Sequence, residues 1–450
     1  MVQTKERALV LLVERKFSEL RALLVDMNAA DIAALMEDFP KELLPLIFRL
    51  LPKELAADTF VEMAPDNQQL LIEAFSDLEL KEVFDQLFLD DTVDIIEEMP
   101  ANVIRRILKN SDPEMRRMIN EVLKYPKDSA GSIMTIEYVD LKVTMTVADA
   151  FKRIKRTALD KETIYTCYVT DENRRLLGVI TAKTLMLSDA DQIIGDLMEQ
   201  NIIYSGTHDN KEEVAQLISK YSLLAIPIVD AETRLVGIVT VDDAIDVIHE
   251  ATEEDFAIMN AMSPNDDSYF KTSVWKHAKG RIVWLLVLML SATFTGAIIT
   301  NYEQAFAAVP ALVAFIPMLM DTGGNCGSQS STTIIRALAM DEIKLKDFMR
   351  VWWHEIRIGA LVGIALVAVN TVRVLIQYNS LGQSLSLVIV TDLTLIAAVL
   401  IAKSLGCILP MLAKRIKLDP AICASPMLTT ICDTCVVLIY FNIAIHVMTI

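Results

Sequence analysis

The chain has 450 residues and a formal net charge of −18, more length than one domain requires. Of its 42 Lys+Arg and 60 Asp+Glu, only 13 and 9 fall from Lys276 onward, so the acidic excess lies wholly before that point. Phosphate contacts need basic side chains, so this excludes a nucleic-acid partner and leaves a solvated surface or repulsion held in check by cations. The six cysteines follow no disulfide spacing and read as reduced thiols. The N-terminal run through Lys16 is amphipathic and lacks a small-residue cleavage site, so it does not read as a signal peptide, and the acidic part is expected to be cytoplasmic.

Residues 1–128 read as an acidic helical domain. Pro40, Pro52, Pro65, Pro100 and Pro113 punctuate short amphipathic runs such as Ile32–Phe39 and Leu55–Met63. Proline is tolerated at a helix start and disruptive later, so the pattern predicts short stacked helices in a small superhelix. Asp90, Asp91, Asp94, Glu97 and Glu98 form one dense acidic run within it.

Residues 129–192 and 193–250 carry one pattern twice. Each copy has a helix-like stretch (Val147–Ile154, Glu212–Ile218), then two β-rich runs joined by a polar turn (Ile164–Thr181, Leu224–Thr240), the second run ending Gly-x-x-Thr. The repeat resembles a tandem pair of CBS domains. In such pairs a Thr and an Asp often hold the ribose of an adenine nucleotide. That resemblance implies ATP at Thr240 and Asp243, while the first copy has Thr184 where the acid belongs.

A connecting helix is expected over 251–277, and a membrane domain over 278–450. Apolar runs long enough to cross about 30 Å of hydrocarbon fall near 281–301, 309–338, 354–378, 385–412 and 422–448. Basic residues cluster before the first run, between the second and third, and between the fourth and fifth. The loops 301–308 and 378–384 hold none, which places the N-terminus inside and the C-terminus outside. Arg373 and Lys403 are expected to snorkel toward helix ends. The fold class is thus multidomain: a helical superhelix, a tandem α/β pair and a five-helix transmembrane domain.

The second run contains Pro317-Met-Leu-Met-Asp-Thr-Gly-Gly-Asn-Cys-Gly-Ser-Gln-Ser-Ser-Thr-Thr333, three glycines among polar side chains. Lipid cannot solvate such a segment, so it is expected to line a protein-enclosed polar path and to break or kink its helix there. Four carboxylates stand within or at the ends of the spans: Asp321, Asp392, Asp419 and Asp433. Asp433 lies deep in the fifth run with no basic residue near it. An intramembrane charge of that kind reads as an ion site, and a ring of carboxylates across a symmetric dimer attracts divalent cations. Oxygen donors from Asp433, Asn325, Thr429 and Thr430, with carbonyls at Gly323, Gly324 and Gly327, suit Mg²⁺ or Ca²⁺. Cys432-Asp-Thr-Cys435 has too few further ligands for a zinc site, and no G-x-x-x-x-G-K-[ST] or nucleophile–base constellation points to an enzyme.

With Asp321-Thr-Gly-Gly-Asn-Cys-Gly-Ser-Gln329 and Asp419-Pro-Ala…Ser425-Pro-Met-Leu-Thr-Thr-Ile-Cys-Asp433 in place, the chain resembles the MgtE family of bacterial magnesium channels along essentially its whole length. The resemblance implies an inner-membrane homodimer enclosing a pore, with Asp433 binding hydrated Mg²⁺ and Asn325 assisting. It also implies closure by cytosolic Mg²⁺ bridging acidic faces, to which Asp90, Asp91, Asp94, Asp242, Asp243, Asp246, Glu250, Glu253, Glu254, Asp255 and Asp419 are assigned. Cys435 stands where the family usually has Gly, which bears on selectivity. The rival reading is an ion-coupled secondary transporter of Mg²⁺, Co²⁺ or Zn²⁺, with Asp433 as a protonatable carrier; a membrane-bound nucleotide sensor is a further one.

Overall fold

The computed structural model describes every residue except 1, 159–160, 265–271, 303–308, 341, 379–383 and 449–450. It divides into two compact units, Met1–Ile248 and His249–Ile450.

The first unit opens with short helices from Val2–Val13 to Pro113–Val122. Pro52 and Pro100 immediately precede the helices Lys53–Val61 and Ala101–Asn110, while Pro65 and Pro113 occupy the first helical position. A first-turn amide has no intrahelical partner, so proline loses nothing there. Alternate helices stack: Ala29–Met36 on Lys53–Val61, that helix on Asp77–Phe84, and that on Ala101–Asn110. Phe48, Phe60, Phe75 and Phe84 fill the seam with ring centroids 5.3–6.4 Å apart. Within the stack, α1 (Leu89–Glu98) buries Leu89, Val93, Ile95 and Ile96 together with one acid, Asp90.

Two three-stranded sheets follow. The first has β1 (Asp140–Lys142) parallel to β2 (Thr166–Thr170), which pairs antiparallel with β3 (Leu176–Thr181); α2 (Val147–Thr157) connects β1 to β2. The second repeats this with β4 (Ser205–Gly206), α3 (Lys211–Tyr221), β5 (Ala225–Val229) and β6 (Leu235–Thr240). The copies join through bridges Thr135↔Ile238 and Arg175↔Arg234, and through a shared core of Tyr138, Tyr168, Ala225, Leu235 and Ile238. Gly237 permits the first bridge, since a Cβ there would stand 2.7 Å from the Thr135 carbonyl oxygen. From Thr240 the chain enters α4 (Val241–Met259). Of the connecting helix expected over 251–277, residues 251–259 fall in α4 and 274–277 in the next helix, Val274–Asn301, while 265–271 lie outside the described residues.

The second unit holds five long helices among the described residues: α5 (Val274–Asn301), α6 (Ile316–Ala339), α7 (Phe348–Gln377), α8 (Ser384–Arg415) and α9 (Ser425–Met448). Four stretches (Val274–Asn301, Leu345–Gln377, Leu385–Arg415 and Pro420–Met448) are long and apolar enough to cross a membrane. They correspond to α5, α7, α8 and α9. The loops read as extracytoplasmic, 301–308 and 378–384, fall largely outside the described residues.

Here the structure corrects an expectation: α6 does not break at its glycines but runs as one helix through them. The glycines serve packing. A Cβ at Gly323 would lie 2.9 Å from Val436 Cγ2, and one at Gly324 would lie 2.8 Å from Thr429 Cγ2. At Gly327 it would meet Leu428 at 3.1 Å and Cys432 at 3.2 Å, and at Gly406 on α8 it would sit 2.5 Å from the Gly327 carbonyl oxygen. Bringing α6, α8 and α9 this close gives the backbone a wall of side chains, so the helical ladder is retained. A second correction concerns Lys403, which does not snorkel. It is 5% exposed and its Nζ stands 3.7 Å from Oε2 of the equally buried Glu355 on α7.

Candidate functional site

Two groups of acidic residues emerge, one in each unit. In the second unit, the exposed side of α6 carries Asp321, Asn325, Gln329, Thr332, Thr333 and Arg336. The three- and four-residue steps put them on one stripe, about 22 Å long at 1.5 Å per residue. The opposite side of α6 buries Leu319, Gly323, Cys326, Gly327, Ser330 and Ile334. An apolar helix with one polar stripe facing outward needs water or protein opposite it, not lipid.

Asp433 lies about 12 Å along α9, next to the contact of α9 with Gly323, Gly324 and Gly327. Its Oδ1 is buried and has no hydrogen-bond partner, and Asp321 on α6 is its charged neighbour. No ion pair reaches Asp433 among the described residues. Thr430 Oγ1 donates to the Pro426 carbonyl at 3.1 Å, and Thr429 is half-buried over Gly324. Gly324 itself, named from sequence as a pore ligand, is buried beneath Thr429, and its carbonyl belongs to a continuous helix. Asp433, Asn325 and Asp321 are among the side-chain oxygens near this face, with Thr429 and Thr430 half-buried beside them. Asp419 caps the short helix Pro420–Cys423, its Oδ1 accepting from the Ala421 amide at 2.8 Å.

In the first unit, α1 brings Asp90 and Asp91 against the start of α4, and Glu162 from the loop before β2 joins them. Burial, then Asp243, Asp91 and Glu162, holds the Asp90 carboxyl well above the usual carboxylate range. Burial and then Asp243 and Asp242 push Asp91 up to about 7. Glu162 rises to about 8 through burial followed by Asp91, Asp242 and Asp243. Asp243 rises to about 6, chiefly through burial and against the hydrogen bond from Thr240. Glu162 Oε2 and Thr92 Oγ1 are buried without partners, and no ion pair neutralises these acids among the described residues. Like charges packed at such density repel unless a cation or protons intervene. Among the described residues no three of these acids are arranged to hold a metal ion together, so the cluster as it stands is a set of buried, mutually repelling carboxyl groups.

Asp94, Asp242 and Asp246 are exposed, as are Glu250, Glu253 and Glu254, while Asp255 is half-buried. Glu250, Glu253, Glu254 and Asp255 belong to the second unit. Thr240 Oγ1 donates to Asp243 Oδ2 at 2.6 Å, and the first copy reproduces this as Thr181 Oγ1 against Thr184 Oγ1 at 3.0 Å. The threonine exchanges a carboxylate for a hydroxyl at an otherwise matching position.

Family models match three parts of the chain: an MgtE intracellular N domain over 27–128, CBS domains over 130–190 and 194–250, and a divalent cation transporter domain, MgtE, over 316–443. The magnesium transporter MgtE of Thermus thermophilus is 34% identical over 403 residues, covering 89% of this chain and 88% of its own length. The Bacillus subtilis protein of the same name is 31% identical over 97% of this chain and 96% of its own. The chain belongs to the MgtE family. Among solved structures, the cytosolic domain of the Mg²⁺ channel MgtE in complex with ATP is 34% identical, with a TM-score of 0.51, covering 55% of this chain and all of that one. The soluble part of a magnesium transporter is 29% identical at a TM-score of 0.52, covering 56% of this chain and 99% of that one. Magnesium transport by a multi-pass membrane protein is therefore the activity of this MgtE family member.

Two features of the family member escape a reading of its sequence. Glu162 stands alone between Lys161 and Thr163, and only the fold carries it to Asp91. Glu355 sits among Trp353, His354 and Arg357 near the start of a long apolar helix, where it reads as a polar end. Its burial follows from Lys403, 48 residues away on α8, and from Ser330 on α6, whose Oγ donates to Glu355 Oε2. Spacing within the third run gave no signal of either partner.

Proposed function

We propose that the chain is a Mg²⁺-selective channel, driven by the membrane potential and closed by cytosolic Mg²⁺. The observation that carries this reading is Asp433: a carboxylate well inside a membrane helix, with one oxygen buried and unpartnered, on the edge of the polar stripe of α6. Mg²⁺ sheds its waters reluctantly, so a polar face offering Asp433, Asn325 and Asp321 suits a hydrated ion. A second copy of this chain closes the other side of the path, which explains how a stripe of polar side chains is kept from lipid. The nearly bare α5 presents apolar side chains to that partner or to the bilayer. Inward movement of a divalent cation gains about 4.6 kcal/mol per 100 mV, so no coupled energy source is needed.

The regulatory site in this reading is the cluster of Asp90, Asp91, Glu162 and Asp243, with Asp242 at its edge. One Mg²⁺ there replaces protons and joins α1 to the start of α4. The exposed acids Asp94, Asp246, Glu250, Glu253 and Glu254, with the half-buried Asp255 and with Asp419, supply further bridging oxygens. ATP at Thr240 and Asp243 is a separate proposal, supported by the relative crystallised with ATP. The domain limits stated from sequence, and the N-in, C-out orientation, belong to the same proposal. The test is divalent flux into liposomes by native protein and by Asp433→Ala. Loss of Mg²⁺ uptake in the variant, with unchanged folding, supports the channel; uptake at the native rate overturns it.

A further inference from the structure

The helices α7 and α8 meet along one stripe. Every buried residue of α7 lies on it: Glu355, Gly359, Gly363, Asn370 and Val374. Lys403 and Leu400 of α8 pack on Gly359, and Ile396 on Gly363. One end of the seam is neutralised by the Glu355–Lys403 pair. The other end carries Asp392, about 12 Å into α8, with no such counter-charge.

There Asn370 Nδ2 donates to Asp392 Oδ1 at 2.7 Å and to Thr391 Oγ1 at 2.9 Å, while Thr371 Oγ1 donates to Asp392 Oδ2 at 2.5 Å. Thr391 in turn donates to the Leu387 carbonyl at 2.8 Å. Asn370 is 4% exposed, and its Oδ1 is buried with no partner. The nearest charge along α7, Arg373, is engaged over the Phe315 ring at 5.4 Å and forms no ion pair with Asp392. Two deficits thus stand side by side: a carboxylate without a cation in a membrane helix, and a buried amide oxygen without a donor. The amide carrying that oxygen is the one that donates to the carboxylate.

We propose that Asp392, Asn370 and Thr371 form a binding site for a small monovalent cation, Na⁺, between α7 and α8 and separate from the polar stripe of α6. A water molecule would satisfy the amide oxygen but leave the carboxylate charged; a cation answers both. One carboxylate among neutral oxygens balances a single positive charge. Mg²⁺ would leave an excess charge and needs room for its retained waters, which the buried Asn370 and Thr391 deny. Occupancy ties α7 to α8 at the end of the seam opposite the Glu355–Lys403 pair, and does not depend on conduction.

All four tryptophans, Trp275, Trp284, Trp352 and Trp353, lie in the second unit, so tryptophan fluorescence follows its unfolding. The experiment is thermal unfolding of the purified full-length protein, without Mg²⁺, in NaCl, KCl or choline chloride at constant ionic strength. Native protein is expected to unfold at least about 3 °C higher in saturating Na⁺ than in choline. Asp392→Asn removes that increment, and Thr371→Val or Asn370→Val reduces it. An equal increment in K⁺, no Na⁺ increment in native protein, or its retention in Asp392→Asn overturns the proposal. If Asp392→Asn does not fold, Thr371→Val decides by the same comparison. Stabilisation by acid alone, with no response to Na⁺, assigns a proton to the site and also overturns it. Mg²⁺ flux is measured separately, so failure here leaves the channel reading to its own test.

Discussion

Glu162→Gln offers the sharpest test of the proposed cation site around Asp91, because that residue is the least expected member of the cluster. Glu162 is raised from 4.5 to about 8 and Asp91 from 3.8 to about 7. At pH 7 without a divalent cation, Glu162 is therefore largely protonated and Asp91 about half so. Mg²⁺ binds the ionised oxygens, so each ion is expected to release between about one and two protons, and affinity rises up to about tenfold per proton for each pH unit between 6 and 8. The sign for stability runs the other way. Folded-state values raised above the unfolded ones mean that stability is present below about pH 4 and is lost as pH climbs through 7 and 8. Taken at face value Glu162 alone costs about 5 kcal/mol at high pH; solvent screening and the shared protons of its neighbours bring this to about 2 kcal/mol. Glu162→Gln is thus expected to stabilise the Mg²⁺-free protein at pH 8 by about 2 kcal/mol, to leave it unchanged at pH 4.5, and to remove close to one released proton. Calorimetry of the full-length protein in two buffers of different ionisation enthalpy counts the protons, and urea unfolding at both pH values gives the stability. A proton count of zero in native protein, or a variant less stable than native at pH 8, refutes the reasoning.

Asp433→Asn keeps the shape and removes the charge; we expect Mg²⁺ flux to fall at least tenfold in liposomes while the Tm stays near native. Gly406→Val drives a side chain into the Gly327 carbonyl and is expected to cost about 1–3 kcal/mol, read as lowered thermal stability in detergent. Lys403→Met strands Glu355 in the membrane and is expected to destabilise by about 3–5 kcal/mol, whereas the Lys403→Met, Glu355→Met pair recovers most of it; equal loss in both argues against a buried ion pair. Asp91→Asn is expected to make flux less sensitive to cytosolic Mg²⁺, measured as a rise in the concentration that halves uptake.

Much of the architecture is written in local pattern. Proline spacing announces the short helices, because the ring is tolerated in the first turn and disruptive beyond it. The twofold Gly-x-x-Thr pattern announces the paired sheets, because each copy sets two β-rich runs on either side of a polar turn. Apolar run length announces the membrane helices, and the isolation of Asp433 marks it as a candidate ion ligand. Each of these follows from neighbours within a few residues.

What lies opposite a residue is decided only by the fold. Three glycines amid polar side chains are compatible with an unwound segment or with a helix pressed against its neighbours; Thr429, Cys432 and Val436, about a hundred residues on, choose the helix. Lys403 resembles a snorkelling lysine until Glu355 is found beneath it. Glu162 carries no local mark of function, yet burial beside Asp91 and Asp243 makes it a candidate cation ligand. Sequence reports periodicity and charge, which are properties of one stretch of chain. Desolvation and charge–charge proximity depend on pairs of stretches, so tertiary packing alone determines which acids meet and which remain without a partner.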